Sequence, residues 1–135
     1  MAKLGARAGW NENYVQSITA STTLTAGDSG KVFTIATDAL VITLPSVAAG
    51  LKFTFVNTGT DGNNIITLSP ESTDAIWGTI TLAGSVVDLG GVDDKDLINT
   101  KASTIKGDSV TLVSDGTDWF VTASTGIWAA EAKIK

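Results

Sequence analysis

The chain contains no cysteine and no histidine. Without cysteine there is no disulfide framework, no thiolate nucleophile and no thiolate-bound metal, so packing and hydrogen bonds alone must hold the fold. Without histidine the commonest general base and the commonest transition-metal ligand are also missing. Charge is sparse. Asp, Glu, Lys and Arg make up 17% of the residues, against roughly 25% in an average soluble domain. Thr, Ser, Gly and Asn fill the gap. No apolar run approaches the roughly 20 residues of a membrane-spanning helix. The start, Met1 to Ala6, lacks the apolar stretch of a secretory signal. The protein is therefore expected to be made and used without crossing a membrane by that route.

What is present points to one domain. A chain of 135 residues, 43% of them hydrophobic, can bury a core of its own. The formal net charge of −5 repels phosphate backbones, which argues against nucleic-acid binding. The charge is uneven. Lys3 and Arg7 make the first ten residues basic, and Lys133 and Lys135 do the same at the end. Such ends suit docking on an acidic partner; solvated termini that simply carry lysines account for them equally well.

Residues 1–16 read as an extended arm. The segment is small, basic and glycine-containing, and it ends in two aromatics, Trp10 and Tyr14, among polar residues. From Ser17 the period becomes two, with Ile18, Ala20, Thr22 and Leu24 on one face of a single strand. Further strands are expected at Val32–Ile35, Leu40–Leu44, Leu51–Asn57, Ile65–Leu68, Ser109–Ser114 and Trp119–Ala123. In the clearest of these, Leu51, Phe53, Phe55 and Asn57 share a face. Pro45 stops one strand because it lacks a ladder donor, and Asp115-Gly116-Thr117-Asp118 signals a hairpin. Short β-like pieces fill residues 76–89. Leu97 to Lys106 reads as a strand or a helical turn, and Ile127 to Lys133 as a last strand or a short helix. Roughly eight to ten short strands without intervening helices predict an all-β fold. The expected form is a small antiparallel sandwich, jelly roll or barrel over residues 17–135.

The chemistry is thin. With no His or Cys, only Ser–Lys or Ser–carboxylate nucleophiles remain, and no Gly-x-Ser-x-Gly elbow is present. Gly107-Asp108-Ser109 reads as a strand-opening turn, and Asp93-Asp94-Lys95-Asp96 as a solvated acidic loop rather than a calcium site. No catalytic residue, cofactor, metal or small-molecule substrate is expected. Of the four tryptophans, Trp119 is assigned to the core and Trp77 is left open. Trp10 and Trp128 are given to a docking surface or to edge packing.

Several segments carry a resemblance. They are Leu24-Thr25-Ala26-Gly27-Asp28-Ser29-Gly30-Lys31-Val32-Phe33, Ile42-Thr43-Leu44-Pro45, Gly50 to Asn57, and Gly107 to Phe120. Together they resemble small β-structured virion proteins of tailed bacteriophages: head decoration proteins and tail-fibre or spike modules. The chain starts at its own Met1 and shows no shaft or attachment domain, which favours the decoration (cement) protein within that group. The resemblance implies a homotrimer seated on the capsid surface, with the major capsid protein as partner and the host cytoplasm as the place of assembly. Contact with nucleic acid or membrane is not expected. Candidate interface residues are Lys3, Leu4, Arg7, Trp10, Tyr14 and Trp128. The alternative implied is a tail head module that binds a receptor or glycan.

Overall fold

The computed structural model describes residues 14–82 and 84–131. Residues 1–13, which hold most of the expected arm, lie outside that range. Among the described residues, thirteen strands form two sheets and a separate hairpin. The all-β expectation holds.

The first six strands are β1 (Val15–Ile18), β2 (Thr22–Thr23), β3 (Val32–Ile35), β4 (Leu40–Thr43), β5 (Lys52–Asn57) and β6 (Ile66–Ser69). Odd-numbered strands join one sheet and even-numbered strands the other. The chain thus crosses from sheet to sheet at every step, and like strands stack in parallel. Val15 pairs with Val32, which pairs with Thr54. On the other side Thr22 pairs with Ile42, which pairs with Leu68. Parallel neighbours need long crossovers, and here each crossover is a strand of the opposite sheet.

The remaining strands are β7 (Ile76–Trp77), β8 (Thr79–Leu82), β9 (Ser85–Asp88), β10 (Leu97–Asn99), β11 (Ser109–Ser114), β12 (Trp119–Thr125) and β13 (Trp128–Ala130). The first sheet runs β1-β3-β5-β11-β12-β7 and the second β13-β10-β6-β4-β2, while β8 and β9 form the hairpin. Strands β10 to β13 add by antiparallel pairing, and β7 joins β12 in parallel. Both sheets are therefore mixed, which corrects the expectation of a purely antiparallel fold. Period two cannot separate the two cases when one face stays partly wet, because the side-chain alternation is the same.

Two further corrections concern boundaries. β1 starts at Val15, so Val15 and Gln16 belong to the sheet rather than to the arm. The single strand expected from Ser17 to Leu24 is two strands in different sheets. Ile18 and Leu24 are buried, but Ala20 to Thr23 are exposed at the corner between them.

The core lies between the sheets. In β5 and β11 every second residue is buried, which leaves Phe53, Phe55, Val110 and Leu112 facing inward. Phe33 stacks on Phe55 with ring centroids 5.7 Å apart, and Phe53 meets Trp119 at the same distance. Leu40, Ile42, Ile66, Leu68 and Leu97 close the core from the second sheet. The hairpin at Asp115 forms as expected: its carboxylate accepts the N–H groups of Thr117 and Asp118, and Gly116 takes a positive φ of 98°. Phe53→Ala would empty the centre of the aromatic cluster. The expected loss is about 3–5 kcal/mol, read as a lower urea midpoint at unchanged slope.

Candidate docking surfaces

Of the predicted site residues, Tyr14 and Trp128 lie among the described residues. Lys3, Leu4, Arg7 and Trp10 lie outside the described residues. Tyr14, at 53% exposed, stands just ahead of the edge strand β1. Of the two readings given to Trp128, the packing one fits the structure, since β13 is the edge strand of the second sheet. Trp128 is fully buried in β13, and its indole N–H donates to the Thr125 carbonyl at 3.1 Å. The alanines that follow it, Ala129 and Ala130, are too small to show an alternation, so residue types alone do not mark its side chain as inward. Trp119 is in the core as assigned.

No nucleophile is assembled among the described residues. A Ser-x-x-Lys spacing is present at Ser103-Thr104-Ile105-Lys106. It begins at the end of the 3-10 turn Lys101–Ser103. The Lys106 backbone N–H donates to Asp61, and no hydrogen bond joins the Ser103 and Lys106 side chains. Asp108 of Gly107-Asp108-Ser109 is committed elsewhere: it accepts from the Ile105 N–H at 3.0 Å and from Asn99 at 3.1 Å.

That last bond belongs to a buried amide network at one end of the sandwich. Asn57 ends β5 and faces inward, as its shared face with Phe53 and Phe55 requires. Its Nδ2 donates to Asn99 Oδ1 of β10 at 2.7 Å and to the Asn64 carbonyl at 3.1 Å. Asn64 donates back to Asn57 Oδ1 at 2.8 Å and to the Ile35 carbonyl at 3.0 Å. Gly126 closes the far side, where an added Cβ would sit 2.2 Å from Asp108 Oδ1. Asn64 Oδ1 is left without a partner, but the other amide groups bond one another, and buried polar groups tied in this way fix a structure rather than perform a reaction.

The outward face of the first sheet is different. Its six strands contain one charged residue, Lys52. The face is laid with Val and Thr, and the Thr54 and Thr111 hydroxyls bond each other at 2.9 Å. Toward the β7 edge, Trp77 and Phe120 are register partners, 40% and 36% exposed. Beside them lies an acidic corner. Asp118 accepts from the Ala75 N–H and from Trp77 Nε1, both at 3.0 Å. Asp74 is 5% exposed, and its Oδ2 has no hydrogen-bond partner. Burial, and then the neighbouring carboxylates Glu71, Asp118 and Asp93, push the Asp74 carboxyl above its ordinary range. A solvated acidic loop was expected at Asp93–Asp96. Among the described residues no three acidic side chains converge as metal ligands.

No protein-family model matches the sequence, and no curated protein matches it significantly.

Two outcomes are expected. Asn99→Ala leaves Asn57 and Asp108 short of partners and costs about 1–3 kcal/mol per group stranded, measured by chemical denaturation. Asp74→Asn behaves in the opposite sense. Because the raised carboxyl resists ionising only in the folded chain, Asp74 weakens folding as pH rises from the usual carboxylate range through its folded value. The variant should therefore be more stable than the parent near neutral pH. That gain should vanish in acid, where both folded and unfolded chains hold the proton.

Proposed function

We propose that the chain is a structural virion protein that binds the outer surface of a tailed-phage capsid and stabilises the shell. The observation that carries this reading is the broad face of the first sheet, nearly free of charge and edged by exposed Trp77 and Phe120, on a chain without imidazole or thiol. Such a face suits contact with another protein over area rather than chemistry on a small molecule. The turn-and-strand segments that resemble decoration proteins support the same reading. They fold here as β3, the end of β4, β5 and the β11–β12 hairpin.

The mechanism is multivalent. A homotrimer, once one subunit has docked, turns the remaining contacts into intramolecular ones, so weak individual contacts hold persistently. The basic segment ahead of Tyr14 supplies Lys3 and Arg7 for an acidic patch on the shell, and Leu4 and Trp10 for apolar contact. A tail head module that binds a receptor or glycan is the second reading, favoured by the exposed aromatic pair.

Deleting residues 2–14 is expected to abolish co-sedimentation with purified shells while the domain stays folded. Unchanged sedimentation removes the segment from the mechanism. Mass measurement in solution should return a trimer, and a monomer that binds shells at full strength would overturn the multivalent account. Binding on a glycan array with none on shells would select the second reading.

A further inference from the structure

The sandwich has two ends, and they are finished differently. At one end β7 and β13 are the outermost strands, and the β8–β9 hairpin packs against β12 and β13 there. Carboxylates flank both strands. Asp118 binds the Ala75 N–H and the Trp77 indole at β7, and Glu131 binds the Asp96 N–H beside β13. At the other end β1 and β2 are outermost. Among the described residues, β1 pairs with β3 alone and β2 with β4 alone, so the outer edge of each has no strand beside it. The chain passes from β1 to β2 through the corner at residues 19–21, so both sheets are open at this same end.

Proteins blunt an open edge with a lysine, a proline, a bulge or a covering segment. On β1 and β2 there is no lysine, no proline and no break in register. Residues 14–27 hold no charged side chain at all. The run ends at Asp28, whose carboxylate is paired with Lys31 at 3.2 Å, and the same ammonium donates to Gln16 at 2.9 Å. Tyr14 and Val15 are more than half exposed. Residues 16–22 line an open groove of about 250 Å³.

These features select an occupant. A strand edge presents backbone N–H donors and C=O acceptors together, so another strand edge satisfies it. A strongly charged partner finds no counter-charge here. The chain carries a net charge of −5, so two copies repel wherever their charged faces meet. They approach most closely through a surface without charge, and no other stretch of the sequence is free of charge for as long as this one.

We propose that the open end formed by β1 and β2 is the surface through which copies of this chain join. The contact rests on the self-association proposed above and names where it occurs; it needs no capsid. Two different edges at one end let β1 of one copy meet β2 of the next, a head-to-tail contact that closes into a ring when the rotation allows.

The test uses the full chain and reads its mass by sedimentation equilibrium across a concentration series. Ser17→Lys and Thr22→Lys place a charge on exposed positions of the two edges. Each is expected to weaken association at least ~10-fold. Either lysine lowers the overall repulsion between copies, so weaker association must arise at the edge itself. Thr122→Lys, exposed on β12, is expected to leave association unchanged. Hydrogen exchange on the parent chain supplies a readout free of substitutions. The amides of β1 and β2 should exchange more slowly as concentration rises, and those of β5 and β11 should not respond. A full chain that stays monomeric, lysine variants that associate like the parent, or β1 amides indifferent to concentration would each overturn the assignment. So would stronger association after residues 2–13 are deleted, since the segment ahead of Tyr14 would then be the occupant. A chain that joins through this end yet ignores shells supports the contact and fails the capsid reading alone.

Discussion

A hydrogen bond of 2.7 Å from Asn57 to Asn99 crosses the sandwich and ties β5 of one sheet to β10 of the other. Everything around it is set by the need to satisfy those buried amides. Asn57 stands on the inward face of β5, in line with Phe53 and Phe55. A slip of one residue would turn the amide out and the aromatics with it. The backbone joins the same knot: the Asn57 N–H donates to the Asp108 carbonyl, and the Gly107 N–H donates to the Asn57 carbonyl. The hydrophobic core supplies the larger part of the stability, but it would tolerate several packings. The amides admit one register, and so they select it.

Much of this was legible in the sequence, for a clear reason. Where a strand has one wet face and one dry face, the alternation is written in residue types. β5, β11 and the Asp115–Asp118 hairpin were read correctly on that basis, and Pro45 ends its strand as its missing donor requires. The grouping of Asn57 with two phenylalanines was also visible, and it was the one signal for the amide network. What stayed hidden was sheet membership. A corner of Ala20 and Ser21 between β1 and β2 continues the same alternation as a straight strand, so two strands in different sheets read as one. Parallel and antiparallel neighbours share the same period, so the mixed pairing was not in the pattern at all.

The docking residues were legible only as residue types. Tryptophan is large and amphipathic, and its place depends on what lies opposite it. Trp128 meets the core through a short strand flanked by alanines, while Trp77 is turned outward by Asp118 and Gly91, which are distant in sequence. The acidic corner was invisible for the same reason. Glu71 shares a turn with Asp74, but Asp93 and Asp118 sit on separate loops, and only the fold makes those two its neighbours.

The interleaving of β1 to β6 also governs how the molecule can come apart. In an ordinary sandwich each sheet is a run of adjacent hairpins, and one sheet can peel while the other survives. Here the polypeptide is laced between the two layers, so removing any early strand from one layer drags its successor out of the other. Partial opening therefore has no clean seam along which to start. The lacing makes the two layers one cooperative unit, much as a shoe cannot be opened on one side alone.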